Sequence, residues 1–236
     1  MAATASHDIK LLGSRPSPFV NRVQFALNLK SIEYEFIQEN TMAKSELLLK
    51  SNPIHKKIPV FFHGDKPICE SLIIVQYIDD AFPDGPSILP SDPFDRSMAR
   101  FWAAYIEDKW LPLFRQLREA KEESSKDEIM EKISEGVKLL EDAFVKLSKG
   151  KGFFGGETIG YVDIALGCYL GWFQVHHTVS NLKIFDETSS PALVEWIERF
   201  KNHEAIKGTL PEIEELLNLV KMMEAAKAAA ESEVKA

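Results

Sequence analysis

The chain is 236 residues long, 45% hydrophobic and 27% charged, which fits one large globular domain or two small ones and argues against disorder, collagen-like repeats and a membrane protein. Its 28 Lys and Arg against 36 Asp and Glu leave a formal charge of −8, so the basic surface that nucleic-acid binding needs is missing and no nucleic-acid partner is expected. The two cysteines, Cys69 and Cys168, lie far apart and outside any Cys-x-x-Cys spacing, so neither a disulfide framework nor a thiolate metal site is indicated. No apolar run approaches a membrane span and Met1–Lys10 has no signal-peptide core, so a reducing, cytoplasmic setting without a membrane partner is the expectation.

Asp8 to Gly13 (DIKLLG) reads as a strand, and after a Pro-containing turn Ser17-Pro18 opens a helix with Phe19, Val23, Ala26 and Leu27 on one face. Glu33 to Gln38 alternates as a second strand, Lys44 to Lys50 is a short helix, and Ile58 to Phe62 (IPVFF) is an apolar strand. Proline cannot donate to a sheet ladder, which makes the Ile58–Pro59 bond a candidate cis peptide. His63-Gly64-Asp65 turns the chain, Pro67 to Cys69 forms a short strand, and Ser71 starts the helix SLIIVQYIDD. This alternation predicts a mixed sheet with helices on both faces.

Pro83, Pro86, Pro90 and Pro93 then crowd into one stretch, which reads as an interdomain linker with its boundary near Gly85. Helical patterns follow over Phe94–Glu123, Asp127–Leu147, Tyr161–His176, Pro191–Phe200 and Glu212–Ala230, and predict an all-α bundle. The tail EAAKAAAESEVKA has helix formers but no apolar face and is expected to fray.

Gly150-Lys-Gly-Phe-Phe-Gly155 matches a dinucleotide fingerprint, but it follows a helix and does not open one after a strand, so it reads as a loop. No Gly-x-Ser-x-Gly elbow, His-Glu-x-x-His or Walker loop occurs, and the neighbours His176-His177 cannot both point at one metal from a helix; no metal is expected. Ser17 reads either as a plain helix cap or as a hydroxyl donating to a thiolate at the positive end of a helix. Glu70-Ser71 is likewise a cap or an anion seat. Lys44, Lys56 and Lys57 form basic loops that would draw an anionic ligand into an acidic protein.

Ser17-Pro18-Phe19 after the first strand, Lys-Ile-Pro-Val at Lys57 to Val60, and Glu70-Ser71 before Leu72-Ile73-Ile74 together resemble the thioredoxin-like half of a glutathione transferase. SPFVNRV, NPIHKKIPV and ICESLIIVQYID are similar to the plant tau class in particular, and the likeness extends through RFWAAYIEDKW and GYVDIALG over nearly the whole chain. The resemblance implies an α/β thioredoxin-like N-terminal domain (1–84) that binds glutathione, a linker (85–94) and an all-α C-terminal acceptor-binding domain (95–236). It implies Ser17 as the catalytic hydroxyl, Lys44 and Lys57 at the glycine carboxylate of the co-substrate glutathione, Ile58 before the cis Pro59 at its cysteinyl unit, and Glu70 and Ser71 at its γ-glutamyl group. For the hydrophobic electrophile it implies a pocket of Leu111, Arg115 and Arg118, spaced i, i+4 and i+7 on one helix face, completed by Trp172, Phe19 and Pro16.

Three positions depart from the family pattern. Asp163 stands where a capping box has its acidic residue, but Gly160 replaces the usual Ser or Thr, so support for that helix is expected to be weaker, with Ile159 and Ile164 still able to form the staple. Leu111 and Ser14 replace bulkier residues. The resemblance further implies conjugation through a stabilised thiolate, glutathione peroxidase activity when a hydroperoxide takes the electrophile's place, and a homodimer in which Asp79 and Asp80 of one subunit meet Arg96 and Arg100 of the other. A thiol transferase would need a cysteine where Ser17 stands. A noncatalytic carrier of apolar metabolites stays open as the alternative.

Overall fold

In β1 (Ile9–Gly13) alternate side chains face opposite ways: Leu11 enters the main core with Val23, Phe61 and Ile74, while Leu12 packs with Leu48 and Val60 in a small second cluster. The computed structural model describes residues 8–234, with side chains from 8 to 226. Four strands form one mixed sheet in the order β2-β1-β3-β4. β2 (Glu35–Gln38) runs parallel to β1, while β3 (Val60–His63) is antiparallel to β1 and pairs with β4 (Lys66–Cys69). Pro67 is tolerated because β4 is an edge strand. Helices α1 (Pro18–Leu29) and α3 (Ser71–Ala81) pack together against the Leu11 face, and α2 (Glu46–Ser51) places Leu48 on the other. The second strand starts at Glu35, two residues later than its alternation suggested, and the Ile58–Pro59 bond is cis.

Residues 82–92 form neither helix nor strand. Asp79 ties this stretch to α3: its two oxygens accept the Ile88 and Leu89 N–H groups at 2.9 Å each, and the buried Lys30 ammonium lies 2.8 Å away. Asp79 is therefore spent inside the chain, which removes it from the acidic surface patch expected from the sequence.

The helical half comprises α4 (Pro93–Tyr105), α5 (Leu111–Glu119), α6 (Glu123–Ser148), α7 (Tyr161–Gly167), α8 (Leu170–Ser180), α9 (Pro191–Asn202) and α10 (Ile213–Val234). Two helices expected to be continuous are broken. Between α4 and α5 lies a π segment, Ile106–Trp110, in which the Leu111 N–H reaches back five residues to Ile106 O. Pro112 has no N–H to give and its ring crowds the preceding turn, and the wider π turn relieves both defects. Between α7 and α8 the Tyr169 N–H bonds Leu166 O three residues back, a tight turn that restarts the helix in a new direction. The segment before it ends on Gly167, where an added Cβ would fall 2.3 Å from the Phe200 ring. Helix α10 continues past Ala230 to Val234, and fraying beyond that point lies outside the described residues. Among the described residues no helix is long and apolar enough to cross a membrane.

The start of α7 corrects the expectation of weaker support. Asp163 is fully buried and accepts four hydrogen bonds: Phe154 N–H at 2.9 Å and Trp196 Nε1 at 2.7 Å on one oxygen, Gly155 N–H at 2.9 Å and Gly160 N–H at 2.8 Å on the other. Gly160 is needed for close approach, since a Cβ there would lie 2.8 Å from Gly155 Cα, leaving no room for a capping hydroxyl. Ile159 and Ile164 are both fully buried. Burial pushes the Asp163 pKa up to about 6, against the pull of its four donors, so the group is ionised at neutral pH. Asp163→Asn keeps the shape but turns an NH2 toward those donors, and urea unfolding should show a loss of about 3 kcal/mol or more. A midpoint equal to wild type would show that the four bonds contribute nothing net.

Candidate active site

Gly13 ends β1 and the chain turns through Ser14 to Ser17, whose extended backbone (φ −78°, ψ 119°) makes it the N-cap of α1. Its Oγ accepts the Val20 N–H at 3.4 Å, which leaves the hydroxyl hydrogen free to donate elsewhere. Pro18 occupies the first helical position, where its missing N–H costs nothing. Ser17 therefore presents a donor together with the positive end of a twelve-residue helix.

Ser17 opens onto a cleft of about 330 Å³. Lys44, Lys56, Lys57 and Ile58 line it from the thioredoxin-like half, and Trp172, Leu219 and Met223 close it from α8 and α10. Among the described residues none of the three lysines pairs with a carboxylate, so the cleft is cationic within an acidic chain. The buried Asn52 shapes the lysine loop by donating to Lys57 O at 2.8 Å and accepting the His55 N–H at 3.1 Å.

Pro59, Glu70 and Ser71 do not line this cleft. Register places the latter two beside it, because Cys69 pairs with Val60 and the chain turns into α3 immediately afterwards. Glu70 makes that turn at φ 71°, a left-handed conformation that is uncommon outside glycine, and its side chain is exposed. Ser71 is buried, and Pro59 is buried behind the cis bond.

A second cavity of about 460 Å³ adjoins the first and shares Pro18, Phe19 and Trp172 with it. Leu111, Arg115 and Arg118 all line it. Pro16 stands in the first cleft instead, where its carbonyl accepts the Trp172 indole N–H at 3.1 Å. Sequence reasoning missed Glu107, Phe114, Tyr169, Phe173 and His176 in the second cavity. Burial and the nearby Arg118 lower the His176 pKa, so this imidazole is neutral at pH 7.

Arg22, on the inner face of α1, joins the two halves. Its side chain is 1% exposed, and its Nη1 donates to Ser71 Oγ at 3.2 Å while Nη2 donates to Ala165 O at 3.0 Å. Nη2 also lies 2.6 Å from Glu107 Oε2, and the guanidinium sits over the rings of Phe19 and Tyr169 at 5.4 and 5.3 Å. Burial opposes the charge, but Cys168, Tyr169 and Glu107 hold its pKa above the ordinary value. Because Arg22 can only donate, the Ser71 hydroxyl hydrogen is left for another acceptor. Glu107 lies within the π segment.

The Gly150–Gly155 loop lies elsewhere, against a cavity of about 410 Å³ between the linker, α6 and α7, and it opens no helix. Among the described residues no group of His, Cys, Asp and Glu is arranged to hold a metal.

The chain matches the glutathione S-transferase N-terminal domain over residues 7–80 and the C-terminal domain over residues 101–204. Glutathione S-transferase U17 of Arabidopsis thaliana is 54% identical over 92% of this chain and 96% of its own length. The tau-class glutathione S-transferase of mango, Mangifera indica, superposes with a TM-score of 0.90 at 53% identity, covering 92% of this chain and 99% of that one. Rice GST1, solved in complex with glutathione, gives a TM-score of 0.82 at 32% identity over 92% and 98% of the two chains. The chain belongs to the tau class of the glutathione S-transferase family.

In this glutathione S-transferase the thioredoxin-like and helical halves meet through the buried ion pair of Arg22 and Glu107. Glu107→Ala strands the guanidinium without its counter-charge. Since Glu107 is itself partly exposed, with 31% of its side chain accessible, the expected loss lies at the low end of the roughly 3–5 kcal/mol for a broken buried pair. Arg22→Met combined with Glu107→Leu should lose less than Glu107→Ala alone in urea unfolding. The reverse order would show that the pair is not held by mutual neutralisation.

Proposed function

We propose that the cationic cleft binds glutathione as co-substrate and that Ser17 stabilises its thiolate for attack on a hydrophobic electrophile seated in the second cavity. The observation that carries this reading is the free Ser17 hydroxyl hydrogen, at a helix N-terminus, on the floor of a cleft lined by three unpaired lysines and continuous with an aromatic cavity. Lys44 and Lys57 take the glycine carboxylate, Ile58 meets the cysteinyl backbone before Pro59, and Glu70 and Ser71 take the γ-glutamyl group. Residues 1–84 thus serve as the glutathione domain, 85–94 as linker and 95–236 as the acceptor domain. The thiol proton leaves to solvent, the sulfur forms a bond to the electrophilic carbon, and the displaced group departs with the bonding pair. With a hydroperoxide the thiolate instead attacks the terminal oxygen, the O–O bond breaks and the alkoxide takes a proton from solvent to leave as the alcohol, and a second glutathione condenses with the sulfenic acid to give the disulfide and water.

A carrier without catalysis is not favoured, since the chain aligns with named transferases over more than nine-tenths of its length. Thiol transfer through Cys69 is disfavoured as well, because burial pushes that thiol up and away from the reactive thiolate form. We place the enzyme in the cytoplasm of a plant cell, in the detoxification of electrophiles under stress.

A charge-assisted hydrogen bond of about 1.5–3 kcal/mol and a helix terminus of about 0.3–1 kcal/mol together lower the pKa of the bound thiol by about 1.5–3, enough to populate the thiolate at neutral pH. Ser17→Ala should raise that pKa by about one or more and cut conjugation by about tenfold, read from thiolate absorbance and the pH–rate profile. Ser17→Cys should lose conjugation and gain thiol transfer. Unchanged absorbance and profile in Ser17→Ala would leave Ser17 as a helix cap only.

The dimer proposal now rests on Asp80, Arg96 and Arg100, joined by exposed apolar side chains on the same helices: Ile73 on α3, Phe94 and Phe101 one heptad apart on α4. Arg100 Nε donates to Gln76 Oε1 at 2.8 Å, so α3 and α4 present one joint surface. Light scattering should return twice the 26.7 kDa subunit mass, and Phe101→Glu should halve it. A single subunit mass for wild type would rule the dimer out.

A further inference from the structure

We infer that the acceptor cavity is built for electrophiles that carry an anionic group, a carboxylate or sulfonate on an apolar body, with Arg115 and Arg118 as the specificity-determining residues; this rests on the reading of that cavity as the acceptor site. The two guanidiniums stand three residues apart on α5, on the wall of the 460 Å³ cavity. Among the described residues neither pairs with a carboxylate, although Glu119 and Glu122 each stand four residues further along the chain. The acidic residue in the cavity lining, Glu107, is neutralised by Arg22 at 2.6 Å. His176, the remaining titratable ring at the α5 side, is held neutral. The cavity thus has a net positive wall in a chain of charge −8.

The rest of the lining is apolar. Phe114 and Phe173 pack with ring centroids 5.4 Å apart, and Phe19 and Trp172 mark the passage to the Ser17 cleft. An acceptor entering this space meets aromatic surface along its body, cations at one end and the thiolate at the other. A neutral hydrocarbon leaves two guanidiniums without a counter-charge, whereas an anionic acceptor supplies one that forks onto both. The charges also draw such a molecule toward the site, where its reactive carbon is oriented by the fixed position of its anionic end. Glutathione makes no competing demand on this wall, because its own carboxylates are met by the lysine cleft and by Ser71.

A chlorodinitrobenzoate and its methyl ester provide the test, since in both the glutathione sulfur forms a bond to the ring carbon while chloride leaves and a proton is released. The readout is the ratio of kcat/KM for the acid to that for the ester, measured on the full chain. Arg115→Gln combined with Arg118→Gln should lower that ratio about tenfold, lysine at both positions should restore most of it, and glutamate at both should lower it further. In wild type the ratio should fall from low to high salt, as screening weakens an exposed pair. A ratio within about twofold of wild type in the double glutamine variant would overturn the proposal. Quenching of tryptophan fluorescence by each compound, without glutathione, gives the same ratio from affinities. If wild type turned over neither compound the transferase reading would fail, while an acid-to-ester affinity ratio unmoved by the glutamine changes would reject the anion site on its own.

Discussion

One buried guanidinium sets the terms for the rest of this molecule. Arg22 leaves the inner face of α1 and reaches Ser71 in α3, the Ala165 carbonyl in α7 and Glu107 in the π segment, crossing from one half of the chain to the other. A charge withdrawn from water in this way costs several kcal/mol unless its donors are met, so the elements around it are obliged to supply partners. The π turn brings the carboxylate, the two aromatic faces of Phe19 and Tyr169 supply further attraction, and the tight turn between α7 and α8 brings Tyr169 into place.

The same arrangement shapes the chemistry. Arg22 donates into Ser71, which leaves the serine's own hydrogen for another acceptor, and Arg22 also pairs with Glu107, so the second cavity keeps the positive charge of Arg115 and Arg118. Ser17 works by the same economy of means, since its oxygen is already engaged by Val20 N–H and its hydrogen is the part left over. The proposed stabilisation of a thiolate needs a donor and a positive field, which the cap of α1 and the lysine loop are placed to provide without a neighbouring base.

Much of this was legible in the chain, and the boundary of legibility has physical reasons. Strands, helices of the first half and the cis Ile58–Pro59 bond follow from period-two and period-3.6 patterns and from what proline cannot do, which are local properties. Ser17 stands out as a cap before a helix-opening proline, Lys44 and Lys57 as basic loop residues in an acidic chain, and the family resemblance is what joins these distant signals into one site. Pro112 marks a break that the helix pattern over Phe94–Glu123 passed over, because the apolar spacing runs through Trp110 and Leu111 without a gap; that the break takes the form of a π turn has no sequence signature. Asp163 was misjudged for a similar reason: three of its four donors are backbone N–H groups and the fourth is the Trp196 indole, and none announces itself as a partner. Leu219 and Met223 reach the cleft only because α10 folds back over it, a long-range contact that leaves no periodic trace. Arg22 carries no local signal of its role, because the groups that meet it come from α3, α7 and the π segment.

Calorimetric titration of glutathione into wild type, Arg22→Met, Ser71→Ala and the double variant tests most directly whether the guanidinium that joins the halves also prepares the binding site. Arg22→Met should weaken binding about fivefold or more, and the double variant should bind no more weakly than the weaker single variant, because both changes remove one coupled interaction. Losses that simply multiply, or an Arg22→Met protein that binds glutathione as wild type does, would contradict it.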